Sequence, residues 1–171
     1  MNRSVILSAI SFFVLLVFQV MLFKKLVLYN TAFCFIYIAF VLLLPVETNP
    51  LLLMLLAFIL GLMIDVFYDH QGMHAAASVA IAYLRNYWLA LITPQTGYEA
   101  GVSPTLSSFG FIWFITYVTP LIVLHHLILF FVDAGGAGFF GLTMAKVFAS
   151  VLFTLFVLML YQYFFYQRNR T

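Results

Sequence analysis

The chain has 171 residues, of which 66% are hydrophobic and only 7% charged. An ordinary soluble domain carries about 25% charged residues, so this chain cannot cover a water-facing surface, and its mean hydropathy of +1.16 points to lipid as its solvent. A net charge of +2 with no basic run excludes phosphate-neutralising nucleic-acid binding, and the single cysteine, Cys34, excludes an internal disulfide and a Cys-x-x-Cys site.

At about 20 apolar residues per helical span, the length holds about five or six spans and little else. The first segment covers about 5–23, between Arg3 and Lys24-Lys25, and its only polar side chains are Ser8, Ser11 and Gln19. It lacks a small-residue cleavage site before Lys24 and reads as a retained helix, not a signal peptide. The second covers about 27–44 and stops at Pro45, so the first two form a tight antiparallel hairpin. Pro45 to Pro50 (PVETNP) is a turn. The third segment covers about 51–68, and Asp69-His70-Gln71-Gly72 makes the next turn. The fourth covers about 73–92, followed by a polar loop to Ser108. The fifth covers about 109–132 and contains Pro120, and the sixth covers about 139–165 after the turn Asp133-Ala134-Gly135-Gly136. An open sheet edge cannot exist in lipid, so every span is expected to be helical. The predicted fold is all-α, a single polytopic transmembrane domain over 1–171 with six helices. Arg3, Arg85, Arg168 and Arg170 fall on one side and Lys24 and Lys25 on the other, which places both termini in the cytoplasm. Asp65, Asp69, His70 and Asp133 then lie near the outer face, and Glu47, Arg85 and Glu99 near the cytoplasmic face.

Three segments present close-packing seams at a spacing of four, which lines residues up along one helix face. The third carries Ala57, Gly61, Asp65 and Asp69, small below and acidic above. The sixth carries Ala137, Gly141, Ala145 and Ala149, and the fourth carries Ala76 and Ala80. Either all three seams pack internally, or two do so and the third is left for another protein. An ionisable residue at the end of a span is a clue to function. Asp65 reads either as a buried acceptor that fixes a loop or partner, or as an interfacial residue ending a helix in water. Arg85 is expected to snorkel to the headgroups or to pair with Glu47. Lys146 either snorkels outward or meets Asp133 or Asp65. His125 and His126 are adjacent, so one is expected inside the bundle and the other near an interface. Asp69, His70 and His74 resemble a metal cluster, but no third ligand on the same helix joins the histidines, and no metal or cofactor is expected.

The stretch Gly61-Leu62-Met63-Ile64-Asp65, then Gly72 after a short turn, then an Ala-rich helix ending Ala82-Tyr83-Leu84-Arg85, resembles the MreD family, small integral membrane proteins of the bacterial rod-shape system. Length, six apolar segments and near absence of loops match too. The resemblance implies a non-enzymatic component of the bacterial inner membrane that pairs with the bitopic protein MreC. It also implies a link between cytoplasmic MreB filaments and the wall-synthesis enzymes outside, a transglycosylase of the RodA kind and its penicillin-binding partner. The fold of that family is similar to the substrate-binding component of energy-coupling-factor transporters.

The residues themselves carry no GxSxG, no HExxH and no phosphate-cradling glycine loop, so no enzyme is expected. The alternative function is a vitamin-binding component of a transporter, with Asp65, Asp69, His70 and Asp133 as its only polar candidates near the outer face.

Overall fold

The computed structural model describes residues 3–135 and 140–166. Among them the chain is helical: α1 (Arg3–Phe18), extended without interruption by a π-helical turn (Gln19–Phe23), then α2 (Ile38–Leu43), α3 (Pro50–Tyr68), α4 (Met73–Leu91), α5 (Leu106–Phe109), α6 (Phe111–Asp133) and α7 (Phe140–Tyr166). Four stretches, Ile6–Phe23, Pro50–Tyr68, Phe111–Asp133 and Phe140–Phe165, are helices long and apolar enough to cross a membrane. Their outward residues are large and apolar: Val66, Ile112 and Phe148 are each more than two-thirds exposed. So much exposed apolar surface is what a bilayer solvates and water does not.

The predicted helix over 27–44 does not form as such. Only Ile38–Leu43 is helical, and the fourteen residues 24–37 follow an irregular path. Tyr29 and Asn30 take the left-handed conformation, with φ of 50° and 57°, which interrupts any helix. Leu28 and Ala32 then exchange backbone hydrogen bonds of 3.0 Å in both directions, closing a small turn. This segment still runs the length of the bundle. At one end Lys24 Nζ donates to the Phe67 carbonyl and lies 5.4 Å above the Tyr68 ring. At the other end Leu44 and Pro45 meet Arg85. From Cys34 to Leu44 every side chain is buried. Residues 34–44 are therefore the axis of the molecule, surrounded by the long helices. Irregular backbone is tolerated at membrane depth only when it is enclosed by protein, and here it is.

The α3–α4 hairpin follows from local rules. The Asn49 side chain accepts from the Leu51 and Leu52 amides (2.9 and 3.4 Å), and Pro50 occupies the first helical position. Helix α3 ends at Asp69, which is left-handed (φ 57°), and α4 begins after Gly72 (φ 86°), a backbone that favours glycine. At Gly61 a Cβ would lie 2.5 Å from the Ala75 Cα, so the two backbones touch there. The last carbonyls of α4 find donors outside the helix. Tyr98 Oη donates to Leu89 O (2.7 Å), and Trp113 Nε1 to Ile92 O (3.1 Å).

In α6, Pro120 has no N–H to give to the Thr116 carbonyl. Trp88 Nε1 of α4 donates to that carbonyl and to the next one, at 3.3 and 3.1 Å. The group the proline frees is thus satisfied by a neighbouring helix.

Candidate functional site

Polar side chains converge on the irregular axis. Gln19, in the π-helical turn, is fully buried. Its Nε2 donates to the Cys34 carbonyl (2.9 Å) and the Tyr68 hydroxyl (2.8 Å), and its Oε1 accepts from the Tyr37 amide (3.3 Å). From α7, Ser150 Oγ accepts from the Phe33 amide (2.9 Å) and donates to the Thr31 carbonyl (3.4 Å). One turn on, Thr154 Oγ1 accepts from the Phe35 amide (3.2 Å). These side chains take over the hydrogen bonds that a helix would have made for itself.

Tyr37 is the hub. Its hydroxyl lies 2.7 Å from His125 Nε2, 3.0 Å from His74 Nδ1 and 3.5 Å from Ser78 Oγ, all buried. A phenol has one proton to donate. It therefore donates to one imidazole and accepts from the other, and the tautomers of His74 and His125 are linked through it. His126 faces away from the hub. Its Nδ1 lies 2.8 Å from the Ile122 carbonyl, which only accepts, so Nδ1 carries the proton. Nε2 is then left to accept from Thr154 Oγ1 at 3.1 Å. Both His125 and His126 are completely buried, which corrects the expectation that one lies near an interface. Their rings lie 5.4 Å apart; Phe35 and Tyr37 pack on His125, and Phe35 and Thr154 on His126.

Asp65 is the buried acceptor of its two alternatives, with 1% of its surface exposed. Oδ1 accepts from the His74 amide and Oδ2 from the Ala75 amide, both at 2.9 Å. A carboxylate placed at the first amides of α4 satisfies donors that a helix start leaves open. Ala57, Gly61 and Asp65 form one buried face, but Asp69 departs from it. Its left-handed backbone turns it out of the helix, and it is exposed. Gly72 sits in the same turn and sets the start of α4.

Arg85 neither snorkels nor pairs with Glu47. It is fully buried, donating through Nε to Tyr117 Oη (2.8 Å) and through Nη2 to the carbonyls of Leu44 and, at 3.4 Å, Pro45. Tyr117 Oη in turn donates to Leu42 O at 2.7 Å. The guanidinium thus closes the carbonyl end of short helix α2, where a cation is favoured. Glu47 is exposed and accepts from the Gly101 amide at 3.3 Å.

The three seams are used differently. That of α3 is buried against α4. On α4, Ala76 is exposed and Ala80 half-buried, while Ala75, Ala77, Ser78 and Ala82 make the buried face. On α7, Gly141 and Ala145 are exposed and Ala149 is half-buried, with nothing within 4 Å of a Cβ built at Gly141. Ala137 lies outside the described residues. Beside this stripe, Asn30, Thr31, Asp133, Thr143 and Lys146 line a cavity of about 530 Å³. Lys146 and Asp133 share that cavity, and no ion pair joins them.

The sequence signals Gln19, and Ser78 beside the Ala76 and Ala80 seam, without a role for either, and gives no signal for Tyr37. Ser150 and Thr154, four apart in an apolar helix, were a readable signal of a polar stripe facing something that needed partners. Comparison with protein-family models, with curated proteins and with solved structures finds no match.

Proposed function

We propose that the chain is a non-enzymatic membrane scaffold that acts by helix-to-helix contact, as a component of the cell-wall elongation machinery of the MreD kind, with MreC as its direct partner. MreB filaments, the RodA-type transglycosylase and its penicillin-binding partner would be reached through that complex. The observation that carries the reading is the seam on α7. Gly141 and Ala145, with the half-buried Ala149, form a small-residue stripe that the described residues leave largely uncovered. The equivalent stripe on α3 is consumed by α4. A single transmembrane helix of a bitopic partner is the kind of body that such a seam accepts. The buried polar groups support the same reading, because Gln19, Ser150, Thr154 and Arg85 Nη2 are occupied in holding the chain's own backbone.

The reading includes six passes through the bacterial inner membrane, with both termini cytoplasmic. Segment 24–44 supplies the second pass as an irregular strand of chain followed by α2, and α4 supplies the fourth. Its buried His74, Ser78 and Arg85 lower the apolar content of α4, yet all three face protein.

Co-purification in mild detergent tests the proposal. MreC should be retained by the full chain, and Gly141→Leu or Ala145→Leu should weaken retention at least about tenfold, worth about 1.4 kcal/mol, with thermal unfolding unchanged. Failure to retain MreC, or equal retention by the variants, would remove the reading.

A second reading, a small-molecule-binding component of a transporter, is favoured by the cavity of about 530 Å³ with Asp133 and Lys146 in its lining. Saturable binding of a vitamin that Lys146→Met abolishes would support it. Absence of binding across the water-soluble vitamins would dismiss it.

A further inference from the structure

The sequence puts Asp69 next to His70 and His74, but the fold exchanges the acid. Asp69 turns outward and Asp65, one helical turn earlier, takes its place. One ligand-capable atom from each of Asp65, His70 and His74 lies within 4.8 Å of the other two. Two nitrogens at this spot, His70 Nδ1 and His74 Nε2, are buried without any hydrogen-bond partner. A buried polar atom left unpaired costs about 1–3 kcal/mol, and His74 is completely buried. Two such atoms on neighbouring rings, next to a carboxylate, call for something that accepts both lone pairs.

The spacing of the two rings matches a shared metal ion. The His70 and His74 centroids are 5.3 Å apart, with planes 11° from parallel. A zinc–nitrogen bond of about 2.0–2.1 Å puts an imidazole centroid about 3.2 Å from the metal, so two rings on one tetrahedral ion have centroids about 5.2 Å apart. The supporting contacts are also in place. His74 Nδ1 is engaged by the Tyr37 hydroxyl at 3.0 Å, which leaves Nε2 as the ligating nitrogen. Both Asp65 oxygens are oriented by backbone amides of α4, each keeping a lone pair free. The His70 amide donates to the Asp65 carbonyl at 3.0 Å, so the turn itself folds His70 back toward the end of α3.

We propose that Asp65, His70 and His74 form a binding site for one divalent transition-metal ion of the zinc class, at the turn joining α3 to α4. Two imidazoles and one carboxylate suit Zn²⁺, Co²⁺ or Ni²⁺, whereas Mg²⁺ and Ca²⁺ require an oxygen shell. Three protein ligands leave a fourth tetrahedral position for water or a further ligand. The ion clips the turn to α3 and pins the start of α4. This site is independent of the partner seam on α7 and of the cavity beside it.

The test uses the full chain, purified in detergent through a tag without histidine and stripped with a chelator. Titration with Co²⁺ should give a visible absorption band that saturates at one equivalent, that Zn²⁺ abolishes and that Mg²⁺ leaves alone. Zn²⁺ should raise the melting temperature of the chain. His70→Gln, at the partly exposed turn, should weaken binding at least about 100-fold. That is a larger loss than the 10–100-fold typical of a supporting contact, which is the loss expected for Tyr37→Phe. Asp69→Asn should bind as the wild type does. Binding far below one equivalent by the unaltered chain overturns the proposal without recourse to any variant. So does a one-equivalent site that His70→Gln leaves intact, which would mark an adventitious ion elsewhere.

Discussion

Gly61 and Asp65 lie one turn apart on α3 and act on the same two residues of α4, His74 and Ala75. The glycine lets the backbones meet, and the carboxylate then binds the amides that the meeting brings within reach. Gly61→Ala places a methyl 2.5 Å from the Ala75 Cα, and a backbone atom cannot step aside as a flexible side chain would. Overpacking of this kind costs about 1–3 kcal/mol, readable as a lower melting temperature in detergent. At Asp65 the two amides need two acceptor oxygens. Asp65→Asn keeps one acceptor and Asp65→Ala keeps none, so the alanine variant should unfold at lower denaturant than the asparagine variant. Each lost acceptor leaves a buried amide unpaired, at about 1–3 kcal/mol. Equal midpoints for the two variants would show that the carboxylate caps α4 through charge alone.

At the scale of elements, the irregular segment depends on side chains from other helices. Ser150 and Thr154 hold the amides of Phe33 and Phe35, and a backbone amide with no partner costs several kcal/mol at membrane depth. Ser150→Ala combined with Thr154→Val should therefore speed amide hydrogen exchange over 31–37 while leaving α3 protected, as read by mass spectrometry of the exchanged protein. Equal protection in the variant would mean that the segment finds other partners. The contact between α4 and α6 gives a second case. Trp88 supplies the hydrogen that Pro120 withholds from Thr116 O. In a double-mutant cycle, Trp88→Phe should cost about 0.6–1.7 kcal/mol with proline at 120. It should cost less in the Pro120→Ala background, where the helix makes the bond itself, and unfolding midpoints of the four proteins measure the difference.

Across the whole molecule, one axis of buried chain is surrounded by long helices whose outer faces are apolar. The outer faces of the long helices are apolar while polar side chains such as Gln19, Arg85 and Thr154 are buried within an otherwise apolar core, an arrangement suited to a solvent that makes no hydrogen bonds. Composition made the apolar outer faces legible, and the breakers PVETNP and Gly72 made the bounds of α3 and α4 legible within a few residues. Of the face predicted at Ala57, Gly61, Asp65 and Asp69, the small half was legible from its spacing of four, whereas the spacing left Asp65 between two alternatives and put Asp69 on a face it does not join. The break at 24–37 was not legible. Beyond Lys24, Lys25, Asn30 and Thr31 its residues are apolar, and a hydropathy pattern records burial without recording which donors and acceptors lie across the gap. The burial of Arg85 escaped for a related reason, since its partners are carbonyls of residues 44 and 45 and a tyrosine at 117.

What the sequence determined by itself, then, was the solvent, the helical class and the points where the long helices start and stop. Each of these follows from side chains acting on their own neighbourhood or on lipid. The tertiary structure alone decided which segment gives up its helix, which acid meets the histidines and which small-residue seams the described residues leave open. The first of these turns on groups far apart in the chain, such as Phe33 and Ser150, arriving within about 3 Å of one another, the range over which a hydrogen bond forms.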